Sequence, residues 1–409
     1  MELRQRNIQS PDKTIYTSFQ VILPKYPTIP LLYQNKNITK MKKLLTPFIK
    51  GNFELKNHLV MAPMTRSRAI GNFPNGLMTD YYGQRTGAGL IVTEGTAPSA
   101  EALGYPRIPG IFSEQQTDAW KPITGKVHEN KSKIFVQLMH TGRIGHIDNL
   151  PGGLNLVGAS GIKATGQIFT DTKGLQDYSV PLALSKDGIK HVVKGFVLAA
   201  KNAIAAGFDG VEIHGANGYI IEQFLNPNVN IRHDEYGGNI QHRSRFAIEV
   251  VQAVADAIGK EKVGIRFSPF SKLGDLAGYD EEETQNTYAW LAQKLDELQI
   301  LYLHIAVNAA ISEKTFQVIR KNFAGVIILS NGLTPETGEE ALHAGFADLV
   351  AFGRSFLSNP DFAERIKTNT ALNPVDPSTL YTPGPKGYTD YPKMNTSLKL
   401  KSFQEEVCQ

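Results

Sequence analysis

Short apolar runs recur along the chain between residues 58 and 354, each closing on a polar residue or a glycine, and most are followed by a stretch with helical periodicity. Eight of them are predicted strands: 58–63, 90–95, 133–139, 209–215, 262–268, 302–307, 325–331 and 348–353. Their centres are aliphatic or β-branched on both faces, the pattern of parallel strands covered by helices. Strands alternating with amphipathic helices predict an α/β fold, and eight such units predict closure into a (β/α)8 TIM barrel.

The helical stretches can be placed coarsely. Asp187 is expected to cap a helix running to Ala206, with Ile189, Val192, Val193, Phe196 and Ala200 on one face and Gly207 as its stop. Further helices are predicted over 239–258 and 280–298. The Gly-, Asp- and Thr-rich segment 141–185 lies between strand three and its helix, and is expected to be an excursion over the barrel mouth. Alternation over 44–59 predicts an N-terminal hairpin.

The chain has 409 residues, and no composition shift or Ser/Gly-rich linker divides the strand series, so residues 41–395 read as one domain. Residues 1–40 read as a disordered extension or a start-site artefact, and 396–409 as a tail. A formal charge of +4 without a basic block excludes nucleic acid as the expected partner. Cys408 is the only cysteine, which excludes internal disulfides and Cys-ligated metals or clusters and fits a reducing cytoplasm, the expected compartment. No run is long enough to span a membrane and no signal peptide is expected.

In a barrel of this kind the carboxyl ends of the strands carry the chemistry. Strand one ends in Met61-Ala62-Pro63-Met64-Thr65-Arg66, strand three in Gln137-Leu138-Met139-His140, and strand four runs into His214-Gly215-Ala216-Asn217-Gly218-Tyr219. Arg266 lies in an otherwise apolar strand, where an unpaired charge is costly. Its partner is either a neighbouring carboxylate, Glu94 or Glu212, or a bound anion. Asn331-Gly332 and Gly353-Arg354 close strands seven and eight. Either pair alone could be a turn and a solvated cap; together they favour phosphate binding by exposed backbone amides and a bidentate guanidinium. His214, Asn217 and Tyr219 could each be ordinary core or packing residues, but on one rim they form two donors beside a proton-bearing phenol. The ten histidines show no metal-ligand spacing, so no metal is expected.

Longer motifs then carry a resemblance: Met61-Ala62-Pro63-Met64-Thr65-Arg66-Ser67-Arg68, Tyr81-Tyr82-Gly83-Gln84-Arg85, the segment 88–96, the segment 206–214, Asn217-Gly218-Tyr219, Gln223-Phe224-Leu225, Asp234-Glu235-Tyr236-Gly237-Gly238-Asn239 and the segment 387–392. Over residues 41–392 the chain resembles the Old Yellow Enzyme family of flavin oxidoreductases, including N-ethylmaleimide reductase-like members. The resemblance implies non-covalent FMN, reduced by NADPH or NADH, which in turn reduces a small-molecule activated alkene. It places Pro63, Met64, Thr65, Gly95, Gln137 and Arg266 on the flavin and Asn331, Gly332, Gly353 and Arg354 at its phosphate. It also implies that His214 and Asn217 bind the substrate carbonyl oxygen, that Tyr219 protonates the α-carbon, and that Tyr381 lines the pocket. Met139 stands where many relatives carry tryptophan, which predicts a pocket open to bulkier substrates. Another FMN-dependent barrel dehydrogenase or oxidase, a phosphosugar isomerase or aldolase, and an inactive binding barrel are the alternatives.

Overall fold

A computed structural model describes residues 43–394; the expectations for 1–40, for 396–409 and for Cys408 lie outside these residues. Eight parallel strands close a barrel: β1 (Leu59–Met61), β2 (Leu90–Val92), β3 (Lys133–Leu138), β4 (Gly210–Gly215), β5 (Val263–Phe267), β6 (Tyr302–Ala306), β7 (Val326–Ser330) and β8 (Leu349–Phe352), with β8 pairing back onto β1. Each falls within a predicted run. Around them stand α1 (Gly76–Gln84), α2 (Glu114–His128), α3 (Lys186–Ala205), α4 (Ile220–Leu225), α5 (Ile240–Ile258), α6 (Glu281–Glu297), α7 (Glu313–Asn322), α8 (Pro335–His343), α9 (Arg354–Ser358) and α10 (Phe362–Thr368).

The predicted helix bounds hold at α5 and α6, whose caps are Asn239 and Asp280. At α3 the cap is Ser185, not Asp187: the serine is extended and its side chain accepts the Gly188 N–H. Asp187 already lies in the first turn, where its charge suits the positive helix end but its backbone is helical.

The barrel interior is tiered, because alternate residues of each strand face inward. The amino-terminal tier is apolar: Val60, Leu90, Phe135, Tyr302, Val326 and Leu349 pack together, and the hairpin of Phe48–Lys50 with Phe53–Leu55 covers them with Phe48 and Leu55. Gly210 and Gly264 leave space that the rings of Phe135 and Tyr302 occupy. The carboxyl-terminal tier is polar, holding Gln137, Glu212, His214, Arg266, His304 and Ser330, all buried. Register puts His214 beside Arg266 and Arg266 beside His304.

Two segments build the mouth above this polar tier. The excursion contributes a hairpin of Gln167–Thr170 paired with Gly174–Asp177. The carboxyl-terminal segment is lashed down by buried arginines: Arg66 donates to the carbonyls of Leu380 and Gly387, Arg68 to those of Leu380, Thr379 and Lys386, and Arg85 to that of Tyr388. Charge-assisted bonds to main-chain oxygens fix the backbone whatever its side chains are, and here they bring Tyr381 to the rim. Among the described residues no helix is long and apolar enough to cross a membrane, and no group of three or more His, Cys, Asp or Glu could hold a metal.

Candidate active site

A cavity of about 320 Å³ opens at the carboxyl ends of the strands. Nine of the expected residues line it: Pro63, Thr65, Gln137, Met139, His214, Asn217, Tyr219, Arg266 and Tyr381. No Asp or Glu is in its wall, whereas Arg266 and Arg107 are. The site is therefore built for a ligand with negative or electron-rich groups.

The strand-four exit sets the polar wall. His214 is buried and its Nδ1 accepts the Ala216 N–H at 3.2 Å. Burial, together with the nearby Arg266 and His304, holds the imidazole well below its usual range. The ring is neutral with Nδ1 as acceptor, so the remaining proton sits on Nε2 as a donor. Asn217 and Gly218 are both left-handed, at φ 59° and 80°. A Cβ on Gly218 would stand 2.5 Å from the Leu273 carbonyl oxygen, so this turn requires glycine. Tyr219 then starts α4 with its ring edge-on to His214, centroids 4.8 Å apart. Its hydroxyl donates to that of Tyr105 at 3.3 Å, and burial pushes its pKa up to about 12.

Arg266 is the least satisfied charge in the wall. It is 5% exposed, and among the described residues its Nε has no hydrogen-bond partner and Nη2 reaches only Ser330 Oγ and Asn331 Oδ1, each at 3.4 Å. Neither expected carboxylate pairs with it. Glu94 accepts the Arg66 N–H and the Tyr82 hydroxyl, while Glu212 accepts from Gln137 Nε2 at 2.8 Å, the Tyr302 hydroxyl at 3.0 Å and the ring of His304 at 2.8 Å. Burial works against ionisation of Glu212, but His304, Arg266 and Gln137 outweigh it and hold the carboxyl below its usual range. A buried guanidinium with two long contacts, facing a cavity without carboxylates, fits the electron-rich edge of a flavin.

The other expected residues adjoin the cavity without lining it. Gly95 packs beneath Met139, where a Cβ would overlap the thioether sulfur. Gly353 sits so that its Cβ would be 3.3 Å from Met64 Sδ. Asn331 and Gly332 are consecutive left-handed residues, at φ 74° and 65°, next to Arg266. Arg354 is an exposed residue opening α9. These strand-seven and strand-eight ends form a second, more open patch beside the cavity, with glycine-permitted backbone and a cation, suited to a phosphate.

Among the lining residues not singled out from sequence are Tyr105, Arg107, Phe169 and Tyr178. Tyr105 and Arg107 lie in the turn after Gly104, and the other two sit on the excursion. Arg107 clasps three parts of the rim, donating to the carbonyls of Ser67 and Tyr381 and pairing with Asp171 of the excursion hairpin.

Comparison with known proteins agrees with this geometry. The model of the NADH:flavin oxidoreductase / NADH oxidase family matches residues 43–373. The chain is 42% identical to 12-oxophytodienoate reductase 1 of Oryza sativa subsp. japonica over 85% of this chain and 92% of that protein, and 40% identical to 12-oxophytodienoate reductase 2 of Arabidopsis thaliana over 87% and 96%. Morphinone reductase superposes with a TM-score of 0.83 at 39% identity, covering 88% of this chain and 99% of its own, and the old yellow enzyme homologue from Zymomonas mobilis with 0.82 at 38%, covering 86% and 100%. A family match across most of the barrel and relatives at this identity leave one assignment: the chain is a flavin oxidoreductase of the NADH:flavin oxidoreductase / NADH oxidase family, the Old Yellow Enzyme family.

Proposed function

We propose that this protein is an ene-reductase that uses FMN and NADPH or NADH to reduce the C=C bond of α,β-unsaturated carbonyl compounds and related electron-poor alkenes, maleimides among them. Its relatives named as reductases of 12-oxophytodienoate and of morphinone support this class, as do morphinone reductase structures in complex with tetrahydroNAD. When bound, FMN supplies the hydride that the nicotinamide delivers to it.

The carrying observation is the wall formed by His214, Asn217 and Tyr219 beside the incompletely satisfied Arg266. The Nε2–H of His214 and the amide of Asn217 hold the substrate carbonyl oxygen, and their bonds tighten as negative charge grows on it, which lowers the barrier rather than the ground state. Tyr219 delivers its proton to the α-carbon. A phenol pushed up to about 12 keeps that proton throughout the neutral range, and the hydroxyl of Tyr105 steadies it. Arg266 would balance the charge of bound FMN, with Pro63, Met64, Thr65, Gly95 and Gln137 around its ring system, while Asn331, Gly332, Gly353 and Arg354 would hold its phosphate. We place the enzyme in the cytoplasm.

An anaerobic titration tests the reading. The purified protein should be yellow, bleach on adding NADPH and recover its colour on adding 2-cyclohexenone. A colourless protein that takes up no added FMN would overturn the cofactor roles, and a flavoprotein that bleaches but is not reoxidised by any activated alkene would overturn the substrate class.

A further inference from the structure

Behind the loop carrying Asn217 and Tyr219 lies a carboxylate that the chemistry above leaves unused. Glu222, on α4, is 4% exposed and forms no salt bridge among the described residues. Its oxygens accept from the Gly218 N–H at 2.7 Å, the Ser268 hydroxyl at 2.8 and 3.0 Å, and the Tyr288 hydroxyl at 3.3 Å. Ser268 Oγ in turn accepts the Asn217 N–H at 2.8 Å. Asn217 and Gly218 are the two consecutive left-handed residues of the turn. An asparagine persists in that conformation only where its surroundings over-determine it. Successive amides in such a turn can form an anion-binding concavity, and here the chain supplies its own anion from five residues beyond Asn217.

We propose that Glu222 is a positioning residue of the reaction: by gathering the Gly218 N–H directly and the Asn217 N–H through Ser268, it holds the Asn217 amide and the Tyr219 phenol in register with His214. This rests on the reading of Asn217 and Tyr219 as substrate-handling groups. On its other side Glu222 borders a small cavity of about 120 Å³ that Lys272, Tyr279 and Tyr288 also line, and the charge of Arg266 on β5 acts on the carboxyl through space. Burial pushes the Glu222 carboxyl up to about 7, so the anchor changes charge in the neutral range. The ionised form offers Ser268 two acceptor oxygens and leaves Ser268 Oγ oriented toward Asn217; the protonated form gives up one of those acceptors and loosens the relay.

Glu222→Gln mimics the protonated state: with its oxygen kept toward the Gly218 N–H, the amide NH2 replaces the oxygen 2.8 Å from Ser268 Oγ, so the serine loses its shorter acceptor. In the FMN-loaded enzyme, enone turnover by wild type should rise from about pH 6 to about pH 8. The variant should stay flat across that window at a rate roughly tenfold below the wild-type alkaline plateau, because small misplacements of reacting groups carry large rate penalties. Its affinity for 4-nitrophenol, whose phenolate presents an enolate-like oxygen to His214 and Asn217, should weaken alongside. A variant with the wild-type rate and the wild-type pH profile would overturn the proposal. Ser268→Ala severs only the link to Asn217 and should lower both readouts in the same direction; it decides the matter if Glu222→Gln yields no flavin-bearing protein. If Asn217→Ala and Tyr219→Phe leave turnover intact, the site reading itself fails. If those two lose turnover while Glu222→Gln and Ser268→Ala are silent, only the role of Glu222 falls.

Discussion

Arg266 and Glu212 face the same barrel interior from adjacent strands, yet they do not form an ion pair: the carboxylate is committed to Gln137, Tyr302 and His304, and the guanidinium is left for the cavity. A buried charge without its own partner is costly, and a bound anionic ligand relieves that cost. Arg266→Ala should therefore purify largely without flavin, and Arg266→Lys should retain it weakly because the bidentate fork is lost. The ratio of flavin to protein absorbance measures both, and full flavin occupancy in Arg266→Ala would remove this arginine from the cofactor site.

Tyr219→Phe removes the proton but keeps the ring against His214. Reoxidation of the reduced enzyme by an enone should slow by roughly 10²- to 10⁴-fold, the usual weight of general acid catalysis, while bleaching by NADPH proceeds at the wild-type rate. Rapid-mixing absorbance separates the two half-reactions, and an unchanged reoxidation rate would exclude the phenol as the acid.

Met139 fills space that Gly95 leaves open, and it packs with Leu103 and Leu156 at the cavity wall. Met139→Trp should narrow the pocket, lowering kcat/KM for ring-substituted cyclohexenones more than for 2-cyclohexenone itself. Equal effects on a panel of enones, with unchanged stereochemistry, would show that this position does not sort substrates.

His140 is buried and its pKa is pushed down to about 4, chiefly by burial. The folded chain holds it neutral, whereas the unfolded chain takes up a proton below about 6.5. Its contribution is thus fully present above about pH 6.5 and is lost as pH falls toward 4, amounting to about 3 kcal/mol across that range. His140→Asn should flatten the acid limb of a plot of stability against pH, which urea unfolding at several pH values would reveal; a parallel limb would assign the acid sensitivity elsewhere.

Arg107 ties the excursion hairpin to the rim through Asp171, which is nearly half exposed. Such a pair adds little to global stability, of order 0–1 kcal/mol. Asp171→Ala should leave the thermal midpoint almost unchanged while raising KM for enones and exposing the hairpin to limited proteolysis near residues 167–177. Unaltered KM and cleavage would mean that the hairpin is held without the clasp.

Much of this protein was written locally. Continuous apolar runs marked where the strands lie, because burial on both faces demands such runs whatever surrounds them, and strand ends named the rim residues, since one end of this architecture carries the chemistry. The motifs around His214 and Met61 carried the family. What the tertiary structure alone decided concerns partners across space. Whether Arg266 pairs with Glu94, with Glu212 or with a ligand depends on the groups from β3, β6, α1 and the loop after β1 that reach those carboxylates first. Tyr105, Arg107, Phe169 and Tyr178 enter the cavity only because two long connections fold back over the mouth, and their stretches have no periodicity from which to read it. Ser185 rather than Asp187 caps α3 because capping follows backbone conformation, which the packed neighbours set. No sequence motif marks Glu222; closing the barrel buries it behind the turn, where it accepts the Gly218 N–H.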